Sequence, residues 1–228
     1  MIQRELLGTA QVPGGAELRL YSHDRDFMIV LDRNELMSTR VRNSEEALAT
    51  LTLERLKHVE KPHLLIGGYG MGFTLRAALG GLRPKSRVTV AELVPEIIAW
   101  ARGPMAALTA GCLDDRRVTL KMTDVGELIL LAPDTFDAIL LDVDNGPDGL
   151  VRAENDRIYS RDGLRAARSA LEPGGVLAIW SAAKDPKFTR RLEKAGFEVE
   201  EVEVRSRIAA DGKGKGARHT IWFAKRPV

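Results

Sequence analysis

Asp142 and Asp144 stand two residues apart in the run Leu141-Asp142-Val143-Asp144-Asn145-Gly146-Pro147. Along an extended strand such side chains share a face, and two neighbouring carboxylates can hold a cationic amine and accept its proton. If a turn begins at this point the two diverge, and one of them caps the turn instead. A second feature is Ile66-Gly67-Gly68-Tyr69-Gly70-Met71-Gly72, which follows an apolar run and opens a helix-like segment. A strand that turns through glycines into a helix brings bare backbone N–H groups and a positive helix end against a ligand. Gly67, Gly68, Gly70 and Gly72 are the residues expected to make that contact. Gly68, Gly70 and Gly72 read G-x-G-x-G, whereas the dinucleotide fingerprint wants its third glycine at position 73, where Phe73 stands. The expected ligand is therefore a nucleoside other than NAD. Glu92, about 20 residues past the loop, can accept hydrogen bonds from both ribose hydroxyls. Asp124 can accept one from an adenine amino group. Each acid also has a structural alternative: Glu92 as a charge at the start of the Pro95 helix, Asp124 as the cap of the Gly126 helix.

These acids form one site only if a scaffold brings them together. From His63 onward, strands and helices alternate. The strands read His63 to Ile66, Arg87 to Ala91, Val118 to Met122, Phe136 to Leu141 and Gly175 to Trp180. Helical segments lie between them at Leu75 to Leu79, Pro95 to Arg102, Gly126 to Leu131 and Asp162 to Leu171. Nearly continuous apolar strands in that alternation predict an α/β fold with a mostly parallel sheet covered on both faces. In such a sheet ligands bind at the carboxyl ends of the strands. The glycine loop, Glu92, Asp124 and Asp142 each stand at or just past one of those ends.

The two ends of the chain read differently. Residues 1–42 carry short strand-like runs at Glu17 to Tyr21 and Phe27 to Leu31, parted by polar residues. We read a small β-hairpin unit that must lean on the main domain (residues 43–228) or on a second subunit. Asn43 reads as a helix N-cap, with Glu46 three residues on completing a capping box. At the other end, Phe197 to Ile208 and His219 to Lys225 read as two strands joined by a basic, glycine-rich loop over residues 209–216. A parallel sheet that closes in a strand hairpin is similar in layout to the Rossmann-like class I S-adenosylmethionine-dependent transferases.

Composition narrows the classes. The net charge of +2 over 228 residues gives no electrostatic footprint for nucleic acid. The single cysteine, Cys112, allows no internal disulfide and fits a reducing cytoplasm. No stretch approaches the roughly 18 apolar residues of a membrane span, so the expectation is a cytoplasmic protein without membrane contact. His23, His58, His63 and His219 show no ligand spacing, and no metal is expected.

The segment Ile66 to Leu79, Glu92, Asp124, the Asp142 run, and Ile158-Tyr159-Ser160 through Leu177 together resemble the spermidine synthase (polyamine aminopropyltransferase) family. The likeness covers roughly residues 15–182, including the strand unit that precedes the family's Rossmann-like domain. It implies a decarboxylated S-adenosylmethionine-like co-substrate, aminopropyl transfer to an amine, and a homodimer. It makes Glu92 the ribose acid, Asp124 the adenine-side acid and Asp142 the first acid of the catalytic loop. The chain departs from the family pattern at three points. Its glycine loop lacks an acid, Asn145 stands where a second catalytic-loop acid belongs, and Leu48-Ala49 replace a Tyr-His pair. Intact S-adenosylmethionine brings a carboxylate that suits a neutral loop and a helix N-terminus. A methyltransferase therefore stands as the alternative reading, and a nucleoside-binding paralogue without turnover as a second.

Overall fold

The computed structural model describes residues 4–13, 15–32, 34–143, 155–209 and 212–228, with the backbone alone for 155 and 156. The N-terminal part is an antiparallel meander of β1 (Glu5–Gln11), β2 (Glu17–His23), β3 (Asp26–Leu31) and β4 (Asn34–Ser38). Two of these strands are the expected pair; β1 and β4 extend it on either side. Leu20 and Ile29, 0% and 1% exposed, face the same apolar core as Ile66, Val90 and Ile97. The meander thus leans on the rest of its own chain.

The main sheet is built from β5 (His63–Gly67), β6 (Arg87–Glu92), β7 (Val118–Met122), β8 (Phe136–Leu141), β9 (Leu171–Ser181), β10 (Glu198–Ile208) and β11 (Gly214–Lys225). Its order among the described residues is β10-β11-β9-β8-β5-β6-β7. The five strands from β5 to β9 run parallel, and β11 joins β9 antiparallel with β10 outside it. This is the predicted mostly parallel sheet ending in a hairpin. The hairpin is longer than expected: pairing continues to Ile208↔Gly214, so residues 214–216 belong to a strand instead of a loop.

Side chains two apart on each strand sort into two cores, as the pleat requires. Leu64, Ile66, Val88, Val90, Leu140 and Ala178 join one core. Against them pack α1 (Asn43–Arg55), α2 (Phe73–Gly81), α3 (Pro95–Arg102) and the short α4 (Ala106–Thr109). Leu65, Ile139, Leu141, Leu177 and Ile179 join the other. It is covered by α5 (Val125–Leu130), α6 (Asn155–Tyr159), α7 (Arg161–Ala170) and α8 (Pro186–Lys194). Full burial of each such aliphatic side chain contributes about 1.5–3 kcal/mol relative to exposure. Among the described residues no helix is long and apolar enough to cross a membrane.

The start of α1 differs from expectation. Arg42 occupies the N-cap position, and among the described residues no side chain caps this helix end. Asn43 is the first helical residue, and its Nδ2 donates to the Arg205 carbonyl oxygen at 2.7 Å. Its Nδ2 ties α1 to β10, and Asn43 stands inside the helix, one residue past the cap position.

The strand order reverses on either side of β5, which has β6 on one edge and β8 on the other. A crevice opens beyond the carboxyl ends of strands at such a reversal. Gly67 pairs with Leu141 at that end, and the Asp142 N–H donates to the Gly67 carbonyl at 3.1 Å.

Candidate active site

The glycine loop has a backbone that other residues would not follow. Gly68 has φ 84°, and a Cβ there would lie 2.7 Å from the carbonyl oxygen of Asp142. Glycine at this position lets the exit of β8 approach the loop. Gly72, with φ 76°, is the residue before α2 and packs under the Tyr69 hydroxyl. Gly68 and Gly70 line a cavity at the strand ends. Gly67 and Gly72 stand outside its lining: Gly67 lies against Val125 and Leu141, Gly72 against Tyr69. Tyr69 and Met71 are buried in the core, where the Tyr69 hydroxyl meets Cys112 Sγ at 3.4 Å.

Glu92 ends β6 and is 7% exposed. Its Oε2 accepts the Tyr69 N–H at 2.9 Å, and its Oε1 accepts the N–H groups of Leu93 and Val94 at 2.8 Å each. The carboxylate therefore clips the glycine loop to the end of β6 as well as lining the cavity. Burial raises its pKa, and the surrounding N–H donors, that of Gly70 among them, oppose the rise. It lies outside α3, which begins at Pro95.

Asp124 precedes α5 and its Oδ1 accepts the Gly126 N–H at 2.7 Å, so the capping alternative is realised. Asp124 also lines the cavity. Asp142 follows β8 directly. It is half-buried, and its Oδ2 accepts the Thr74 hydroxyl at 2.8 Å. Burial pushes its pKa up to about 6 against the opposing Thr74 bond. Asp144 lies outside the described residues.

Two cavity residues escape the sequence reading. Glu45, in the first turn of α1, is 9% exposed and lines the cavity near Asp142. Its pKa is raised by burial first, then by the charges of Asp142 and Glu46. The signal was present: Glu45, Leu48, Ala49 and Thr52 share one helical face, the last three fully buried, so an acid stands on a buried stripe. Trp180, near the carboxyl end of β9, is 8% exposed and also lines the cavity, with its Nε1 hydrogen unpartnered among the described residues.

The cavity, of about 170 Å³, is roofed by the N-terminal meander through Leu18, Ile29 and Met37. A second cavity of about 580 Å³ shares Leu93 and Asp124 with it and continues between α5 and α7. Glu45, Glu92, Asp124 and Asp142 line the first, and among its described lining residues there is no lysine, arginine or histidine. Such a site attracts cations. Backbone donors at a glycine turn, a carboxylate at each of three strand ends and an adjoining apolar recess fit a nucleoside carrying positive charge. Among the described residues no group of His, Cys, Asp and Glu is arranged to hold a metal ion.

Residues 43–196 match the family model described as the spermine/spermidine synthase domain. Over 129 residues the chain is 33% identical to the polyamine aminopropyltransferase of Nitrosomonas europaea, a match covering 56% of this chain and 37% of that protein. Over 179 residues it is 33% identical to the release factor glutamine methyltransferase of Deinococcus radiodurans, covering 70% of this chain and 60% of the relative. The chain thus matches less than two thirds of either relative's length. A solved spermidine synthase from Thermotoga maritima aligns with a TM-score of 0.74 at 19% identity, covering 98% of this chain and 73% of that one. At that identity the likeness is one of fold.

Proposed function

Because the chain belongs to the spermine/spermidine synthase family, we propose that it transfers an aminopropyl group from decarboxylated S-adenosylmethionine to an amine acceptor. The observation that carries this reading is the cavity lining, which among the described residues holds four acids and no base and so suits a donor bearing both a sulfonium and an ammonium. Glu92 would hold the ribose, Asp124 the adenine side, and Gly68 and Gly70 would let the nucleoside approach the backbone.

The acceptor nitrogen attacks the aminopropyl carbon bonded to sulfur. The C–S bond breaks with its electron pair passing to sulfur, which leaves as neutral methylthioadenosine. The new ammonium gives its proton to the Asp142 carboxylate. A carboxylate whose pKa is pushed up to about 6 accepts a proton more readily than an exposed one and is still ionised at neutral pH. Holding the two reactants in line supplies most of the acceleration, since a sulfonium is already a good leaving group.

A methyltransferase reading is supported by the acid-free glycine loop and by the relative from Deinococcus radiodurans. Mass spectrometry of reactions with each donor and a panel of diamines separates the two. Aminopropylated diamine with release of methylthioadenosine is the expected result. Methyl transfer from the intact donor alone would replace this reading, and turnover with neither donor would favour a binding paralogue.

A further inference from the structure

Glu45 is a buried acid that the roles above leave without a task. Among the described residues nothing donates a hydrogen bond to its carboxylate. Yet its side chain lies in the cavity wall and is nine-tenths buried. An unpartnered carboxylate in such a place is costly to fold around unless a ligand supplies the missing cation. Among the described residues the cavity lining offers none: it holds four acids and no base.

The Thr74 hydroxyl lies 2.8 Å from Asp142 Oδ2 and 3.4 Å from the main-chain oxygen of Glu45. The first turn of α2, directly after the glycine loop, is therefore in contact with both Glu45 and Asp142. A helix start that would otherwise welcome a ligand carboxylate has two acids beside it. The indole of Trp180, its N–H also unpartnered among the described residues, lines the same cavity. A bound cation meets that ring's electron-rich face favourably.

We propose that Glu45, beside Asp142, is the anionic seat for the ammonium end of the nucleoside, and that it selects a donor ending in a bare ammonium over one ending in an amino-acid zwitterion. This rests on the nucleoside-transferase reading given above. Glu45 would then supply, from α1, the negative charge that the glycine loop lacks.

The test is calorimetric titration of the full chain, as wild type, Glu45→Gln and Glu45→Asp. The three ligands are decarboxylated S-adenosylmethionine, intact S-adenosylmethionine, and methylthioadenosine, which has neither sulfonium nor ammonium. Wild type should prefer the decarboxylated to the intact donor by about tenfold or more, the reach of one charge-assisted contact. Glu45→Gln should lose that preference while binding methylthioadenosine within about twofold of wild type, and Glu45→Asp should keep part of it. An unchanged preference in Glu45→Gln, an equal loss for all three ligands, or a wild-type preference for the intact donor would overturn the role of Glu45 alone. Failure of wild type to bind any of the three would overturn the proposed function, and this inference with it.

Discussion

The Thr74 hydroxyl donates to Asp142 Oδ2 at 2.8 Å, so the first turn of the helix after the glycine loop holds the acid at the end of β8. This bond lowers the pKa of Asp142, while burial raises it by more. Replacing Thr74 by Val keeps the shape and removes the donor. The Asp142 pKa should then climb further above about 6. Asp142 accepts a proton only when ionised, so the acidic limb of kcat/KM should move to higher pH. A hydrogen bond to a charged group is worth about 1.5–3 kcal/mol, which corresponds to roughly one to two pH units. Thr74→Ser should restore the wild-type profile. A profile that does not move in Thr74→Val would remove Asp142 from the proton-accepting role.

The same burial makes Asp142 a cost to the fold. Its folded pKa lies above its unfolded one, so the folded state binds the proton more tightly. Stability should therefore fall as pH rises from about 4 to about 6 through Asp142, and Glu45, also raised, adds to the slope in the same sense. Asn at position 142 can still accept from Thr74 and has no charge to bury. Asp142→Asn should be more stable than wild type at pH 8 by on the order of 2–3 kcal/mol, with the difference closing toward pH 4. Its activity should fall by about 10²–10⁴-fold. Urea denaturation at both pH values checks the first part. A variant no more stable than wild type at pH 8 would mean that Asp142 is not charged in a desolvated site.

The architecture was legible because the strands are long, apolar runs whose neighbours alternate in type. Val88-Thr89-Val90-Ala91 can hardly be anything else, and its end fixes Glu92. What escaped has local causes. α8 begins with Asp185 capping Lys187 and Pro186 in the first turn, signals that were readable but stood outside the expected strand–helix count. Asn43 has the type of an N-cap, but it stands as the first helical residue, its Nδ2 donating to the main chain of Arg205, 162 residues away in sequence. No local pattern carries such a partner. Glu45 was missed for the opposite reason. Acids are common in the first turn of a helix, and its burial follows from how α1 lies over α2 and the cavity, although the stripe it shares with Leu48 was visible.

Glu92 is read as the ribose acid, but its three short main-chain bonds give it a structural duty too. Glu92→Gln leaves one carbonyl oxygen where two oxygens met N–H donors, and turns an amide NH₂ toward the other donors. Each buried donor left unsatisfied costs about 1–3 kcal/mol. We expect a loss of stability in that range or above it, together with weaker binding of methylthioadenosine. If Glu92→Gln unfolds at wild-type denaturant concentrations, the clip between the glycine loop and β6 is not holding the loop.

Three glycine replacements separate the roles of backbone shape. At Gly68 an alanine would need φ near 84°, and its Cβ would sit 2.7 Å from the Asp142 carbonyl oxygen, a backbone atom that cannot swing aside. The left-handed conformation alone costs about 1–2 kcal/mol, and the collision adds to it. Relief must come from moving Asp142, so kcat should fall more than KM rises. At Gly72, with φ 76°, the new Cβ meets the Tyr69 hydroxyl and ring instead. Gly72→Ala should lose comparable stability with a smaller effect on kcat. Gly80 lies within α2 with nothing within 4 Å of its missing Cβ. Gly80→Ala should therefore raise stability by about 0.5–1 kcal/mol, because alanine loses less freedom than glycine on entering a helix. Denaturation and steady-state kinetics on the three variants give the comparison. Equal kcat losses in Gly68→Ala and Gly72→Ala would mean that the contact between the loop and Asp142 has no part in turnover.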